Sequence, residues 1–336
     1  MSRFLIAWLG LSLIVAVPPA RAETAVRFTS DWVFDGTTAY ILRAVEQGYF
    51  KANGLAVTVD RGFGAGDTIV KVASGAYQIG IGDSTALIEY DALHPDQKLI
   101  GIMVVHDKSA FSVISLADKG INNFGDLAGR KIGALTGETM TRLFPTVAGL
   151  SGFDASKVML MNVNGQIRDT LLRTGEVDAV IGFFPTTLLN LEANGIPAEK
   201  AHVLKYSDHG LDLYGSAIIT SADYAAKNPA IVASFLAALA HGLTDTIQDP
   251  ASAIPAVKAR NGLIDDGVEL RRLQMVLRDL IVTPYVRANG FGAIDEARLA
   301  KQIDFVAEAL DLPQKPPAAA IFTASFLPPV AARQVP

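Results

Sequence analysis

A chain of 336 residues, half of them hydrophobic and 19% charged, with a formal net charge of −5, has the makeup of a packed globular protein of about two domains. Mild acidity without a Lys/Arg stripe excludes a dedicated nucleic-acid binder. The absence of cysteine excludes a disulfide, a thiolate metal site, a cysteine nucleophile and the lipid-bearing cysteine of a bacterial lipoprotein.

The chain opens on "MSRFLIAWLGLSLIVAVPPARA", with Arg3 ahead of an apolar run from Phe4 to Val17 and Ala20-Arg21-Ala22 just before Glu23. That is the pattern of a secretory signal peptide over residues 1–22, and the run is short for a membrane span. Cleavage removes Arg3 and Arg21 and takes the net charge from −5 to −7. An exported, unlipidated, cysteine-free chain suits a Gram-negative periplasm.

From Ala25 short β-type runs alternate with amphipathic ones. "AVRFTS" leads into a helix from about Thr37 to Ala52, "LAVTVD" into one from Asp67 to Ser74, and "QIGIG" into one from Ser84 to Leu93. Such alternation predicts an α/β fold with a parallel sheet. After "KLIGIMVV" an apolar strand, Phe111 to Leu116, precedes a polar, Gly-containing stretch and a fresh α/β series, which marks a crossing between lobes. The second series runs "RKIGAL", helix Glu138 to Leu150, "VMLMNV", helix Gln166 to Arg173, "VDAVIGFF", helix Thr186 to Ala193 and "AHVLKY". Another apolar strand, Leu213 to Ser221, returns the chain. Three helical stretches follow, the first signalled by Asn228-Pro229, and these are expected to pack on the first lobe. The proline-rich end reads as an extended or loose tail.

These signals predict a two-lobe clamshell with two hinge crossings. Residues 23–112 and 217–312 form the first lobe, 113–216 the second, and 313–336 the tail. In open α/β sheets ligands bind beyond the carboxyl ends of the strands, so each strand-to-helix junction should face the cleft. The junctions supply Asp31, Trp32, Phe34, Asp35 and Thr38; Phe63 and Gly64; Asp83 and Ser84; Gly137, Glu138 and Thr139; Asn164; and Phe183 and Phe184. Aromatic walls with a few polar groups suit a small-molecule site. Each also has a structural use: Trp32 and Phe34 as core aromatics, Asp83 and Ser84 as helix caps, Glu138 as a partner of a helix dipole. Strand alternation sends one of Phe183 and Phe184 to the core and the other to the cleft. Acidic junctions favour a solute with N–H donors or positive charge over a strong anion.

Enzymatic readings fit poorly. "GIGDST" has the Gly-Asp-Ser block of one esterase class, but the only Asp-x-x-His, Asp91 to His94, lies one helix on. The five histidines lack metal-ligand spacing, and "RGFGAGD" is not GxGxxG.

Together "DW" with "AVEQGYFKANGLAVTV", "SGAYQIGIGD", "FGDLAGRKIGAL" and "LLRTGEVDAVIGFF" resemble the periplasmic solute-binding proteins of ABC importers. The group is the one related to sulfonate, taurine, nitrate and thiamine-pyrimidine binders. The resemblance implies a type II periplasmic-binding fold, no cofactor and no metal, and a monomer that delivers a small-molecule solute to an ABC permease and ATPase. It also implies that Trp32 stacks on a heterocycle, although Thr38 stands where pyrimidine-binding relatives commonly carry a histidine. A thiamine-pyrimidine-like aromatic solute is favoured, with a sulfonate, taurine or nitrate anion as the alternative, for which Ser84 and Thr139 are the candidate contacts. A periplasmic sensor domain would read the same way. A pyrimidine synthase of this fold would need an iron and a histidine that the two loops "DWVFDG" and "TGETM" lack.

Overall fold

The computed structural model describes residues 23–335; the expected signal peptide lies outside them. Ten strands form two sheets. The first takes β1 (Thr24–Thr29), β2 (Leu55–Asp60), β3 (Ile79–Asp83), β4 (Leu99–Val104) and β10 (Ser216–Ser221) in the order β2-β1-β3-β10-β4. The second takes β5 (Phe111–Leu116), β6 (Lys131–Ala134), β7 (Met159–Asn162), β8 (Ala179–Phe183) and β9 (Ala201–Lys205) in the order β7-β6-β8-β5-β9. Within each sheet the βαβ units pair in parallel, as alternation predicts.

One strand of each sheet runs the other way. β10 lies antiparallel between β3 and β4, and β5 antiparallel between β8 and β9. The stretches expected to be hinges are therefore, for the most part, sheet strands, and the crossings are the segments beside them, 105–110 and 206–215. Phe111 and Ser112, assigned above to the first lobe, begin β5 of the second sheet, and Ser216, assigned to the second, begins β10 of the first. A single guanidinium ties both crossings together: Arg298, on helix Glu296–Ala309, donates to Asp107 Oδ1 at 2.9 Å and to Asp212 Oδ1 at 2.8 Å.

Helix Pro229–Gln248 is long and apolar enough to cross a membrane, but Val232, Phe235, Leu236, Leu239 and Leu243 are buried. Phe235 stacks on Phe28 of β1 at 5.7 Å and meets Phe50 at 4.9 Å, which closes the first lobe's core. Helix Asp266–Val276 departs from expectation, because its apolar face (Leu273, Val276) shares one core with Phe184 and Leu188 of the second lobe's helix Phe184–Ala193. Helix Pro229–Gln248 thus covers the first lobe as expected, whereas helix Asp266–Val276 bridges the two lobes. The proline-rich end is extended but not loose: Phe322 bridges to Gly101 of β4, and buried Arg333 donates to the carbonyls of Phe291 and Pro328.

Candidate functional site

Beyond the strand ends lies a cavity lined from both lobes. Asp31, Trp32, Thr38, Tyr40, Gly64, Ile81, Asp83 and His106 come from one side, and Phe111, Leu135, Glu138, Thr139, Arg168 and Phe183 from the other. It offers about 80 Å³ to the centres of water-sized spheres, several times the ~10–15 Å³ that one water needs.

Backbone hydrogen bonds set the first junction. Gly64 N donates to Asp31 O at 2.7 Å and Gly62 N to Trp32 O at 3.1 Å, so the loop after β1 is fastened to the loop after β2. The indole then reaches across the gap. A Cβ added at Gly165 would lie 2.7 Å from Trp32 Cη2 and 3.2 Å from Leu135, so glycine there makes room for the ring to meet the second lobe. Gly64 serves likewise in the other direction. Its φ of +130° is one that residues with a side chain avoid, and a Cβ would collide with Glu138 Oε1.

Asp83 does two jobs with its two oxygens. Oδ1 accepts from Thr85 N at 2.8 Å and from the Thr85 hydroxyl, capping helix Ser84–Leu93, while Oδ2 is buried without a protein partner. Burial raises three carboxyls of this cavity. Asp31 goes to about 7, with the charges of Asp35, Asp83 and Glu138 adding to the push against an opposing backbone hydrogen bond. Glu138 goes to about 7, reinforced by Asp83, and Asp83 to about 6 despite the Thr85 hydrogen bonds. Burial also holds the His106 imidazole down to about 4, so the ring is neutral near pH 7. Arg168 is the cation of the wall, yet its nitrogens are engaged by Asp169 Oδ1 (2.9 Å), Ile181 O (3.3 Å) and Thr187 Oγ1 (2.9 Å).

Of the junction residues singled out above, Asp31, Trp32, Thr38, Gly64, Asp83, Glu138, Thr139 and Phe183 line the cavity. The others do not, each for a local reason. Asp35 is buried against Arg272 at 3.7 Å and caps Thr37, and Phe34 lies under the Arg260 guanidinium at 4.9 Å. Phe63 is 58% exposed and covered by the charges of Arg61 and Lys71. Ser84 Oγ donates to Tyr214 O at 2.8 Å and accepts from Gln302 at 2.7 Å, which leaves it neither a ligand contact nor a nucleophile. Asn164 caps its own turn through Gln166 N, Gly137 stands outside the lining, and Phe184 faces the core beneath Lys205. Sequence reasoning missed Tyr40, His106, Phe111, Leu135 and Arg168, and also Val276 and Leu280, which arrive from the bridging helix and the π turn Leu277–Ile281 that follows it. His106 and Arg168 had a usable signal, since each lies just beyond a strand end, in "VVHD" and "NGQIRD".

The sequence pattern of the NMT1/THI5-like family matches residues 36–253, well over half the chain. The chain belongs to that family. A Haemophilus influenzae protein whose name places it in thiamine biosynthesis is 26% identical to this NMT1/THI5-like protein over 215 residues, 63% of this chain and 65% of its own length. The formylaminopyrimidine-binding protein of Halalkalibacterium halodurans is 25% identical over 237 residues, 69% of each chain. The matched region thus spans about two thirds of these relatives. The alkanesulfonate-binding protein SsuA of Xanthomonas axonopodis pv. citri, solved with MOPS bound, superposes with a TM-score of 0.70 over 90% of this chain and 99% of its own, at 16% identity. That likeness is one of fold: a two-lobed periplasmic-binding-protein architecture.

Proposed function

We propose that this NMT1/THI5-like protein is the periplasmic binding component of an ABC importer, capturing a small heteroaromatic solute of thiamine-pyrimidine type between its lobes and handing it to a permease and ATPase. One observation carries the reading: an indole from one lobe crosses to the other beside three carboxyls of the cavity wall, Asp83 buried and Asp31 and Glu138 partly so. A flat ring stacks on the indole face, and N–H donors or a positive charge on that ring meet Asp31, Asp83 and Glu138. The name of the Halalkalibacterium relative points the same way. Family likeness and the committed Ser84 hydroxyl support binding without turnover.

The second reading, a sulfonate or nitrate-type anion, draws on the fold shared with SsuA and on Arg168. The carboxyls weigh against it, because like charges brought together lose several kcal/mol, and the Arg168 donors already have partners. A thermal-shift panel of aminopyrimidines, taurine, alkanesulfonates and nitrate decides between them. A true ligand at a hundredfold its Kd adds about 2.7 kcal/mol of stability, and mass spectrometry of the released solute should show it unchanged. Stabilisation by taurine or nitrate but by no pyrimidine overturns the proposal, as does recovery of a converted product. Permease and ATPase genes beside this one support import; a signalling gene in their place supports a sensor.

A further inference from the structure

Two polar groups that line the cavity have no protein partner: both ring nitrogens of His106 and Oδ2 of Asp83. Both residues are more than nine-tenths buried. They rise from either side of one strand start, since Asp83 of β3 is paired with Ser216 of β10 and His106 N donates to Ser216 O at 3.0 Å. β10 lies between the two, so their backbones stand two strand spacings apart, on the order of 9–10 Å, and the side chains reach one small molecule only because both line the same cavity. Buried polar groups are nearly always hydrogen-bonded, and one left unpaired weakens the fold. What sets His106 and Asp83 apart from other buried atoms without partners, such as Ser216 Oγ and Thr141 Oγ1, is that both line the cavity.

We propose that His106 and Asp83 form the polar end of the solute pocket and read a donor–acceptor edge of the ring that stacks on Trp32. The assignment rests on the stacked-ring reading given above. A neutral imidazole offers one N–H donor and one acceptor, and the free carboxyl oxygen adds a second group beside it. The ligand edge that uses both is amidine-like, an exocyclic amine next to a ring nitrogen, as in a 4-aminopyrimidine. A sulfonate or nitrate brings acceptors alone and would set one against Asp83 Oδ2. The crossing 105–110 thereby contributes to specificity as well as to the joint between lobes.

The test uses 4-amino-5-hydroxymethyl-2-methylpyrimidine and its counterpart without the 4-amino group as calorimetric probes, on the wild type, His106→Leu, His106→Gln and Trp32→Ala, with melting curves of each unliganded protein. The wild type should prefer the amino probe about tenfold or more. His106→Leu should reduce that preference to within about threefold and, by removing an unpaired buried polar group, raise the unliganded melting temperature. His106→Gln should retain part of the preference, and Trp32→Ala should weaken both probes alike. An unaltered preference in His106→Leu, or equal wild-type affinity for the two probes, overturns the assignment while leaving the stacked ring standing. A fall in melting temperature together with equal weakening of both probes marks His106 as structural and also overturns it. Failure of the wild type to bind either probe removes the pyrimidine reading itself, and the assignment with it.

Discussion

The lobes meet along two seams that border the same cavity. At one, helix Asp266–Val276 shares an apolar core with helix Phe184–Ala193, and Arg272, nearly fully buried, donates to Thr186 O at 2.9 Å and Asn190 Oδ1 at 3.0 Å while pairing with Glu269 and Asp35. At the other, the Arg142 side chain, 41% exposed, grips Glu89, and the Thr139 hydroxyl adds a 3.1 Å hydrogen bond to the same carboxylate. Opening the first seam would expose apolar area and strip partners from buried charges. Opening the second lets water reach a pair whose Arg142 side is already 41% exposed and whose Glu89 side alone is buried. That contrast predicts a pivot at the buried Arg272 seam and a parting edge at Glu89–Arg142.

The largest effect should come from Arg272→Ala. Left without the guanidinium, Glu269 and Asp35 remain buried and unpaired, and stability measured by denaturant melts should drop by about 3–5 kcal/mol. A loss below about 1 kcal/mol would make the two seams equivalent and break the comparison. Trp32→Ala should weaken binding of a pyrimidine probe in calorimetry by about 1–3 kcal/mol, the scale of a lost aromatic stack. An intact fold with unaltered affinity takes the indole out of the site.

A third, smaller effect is pH dependence, which follows from the three raised carboxyls of the cavity. Asp31, Asp83 and Glu138 titrate higher folded than unfolded, so their contribution is greatest below the ordinary carboxylate range and is lost as pH rises to about 7. His106 is shifted downward and contributes in the opposite sense, stability being gained from about pH 4 to its ordinary value near 6.5. Above pH 6.5 only the carboxyl part remains, and the unliganded melting temperature should decline between pH 6.5 and 8. Asp31→Asn should flatten that slope, and a slope identical to wild type would refute the assigned shift. Smallest of the stability effects, Arg142→Ala should cost about 1–2 kcal/mol, less than Arg272→Ala because the Arg142 side chain is largely exposed, although it leaves the buried Glu89 carboxylate without its cation. It should nonetheless enlarge the unliganded radius of gyration in small-angle scattering; no enlargement would place the moving edge elsewhere.

Sequence periodicity conveyed the two α/β series and most strand ends, because alternation and turn residues are local signals. Strand direction is not local. Nothing within "FSVISL" or "SAIITS" says that each inserts antiparallel between strands of its own sheet, so both read as strands at the hinge crossings. The same limit divides the site residues. Asp31, Trp32, Asp83 and Phe183 were legible from their place after a strand. Asp35 looked identical, but Glu269 takes the neighbouring Gly36 N at 2.7 Å from 233 residues away and brings Arg272 with it. Val276 and Leu280 carried no site signal at all, because they reach the cavity only through packing between lobes.

The placement of β10 has a consequence for how the chain is made. Among the described strands β4 pairs with β10 alone, so the sheet begun at residue 24 stays incomplete until residues 216–221 have left the ribosome. Among the described residues, the other sheet draws its strands from residues 111–205 alone, although helix Asp266–Val276, made later, still has to cover helix Phe184–Ala193. The sheet that starts second can therefore finish pairing first, while its partner waits for a contact spanning more than a hundred residues, the kind of long-range pairing that slows folding.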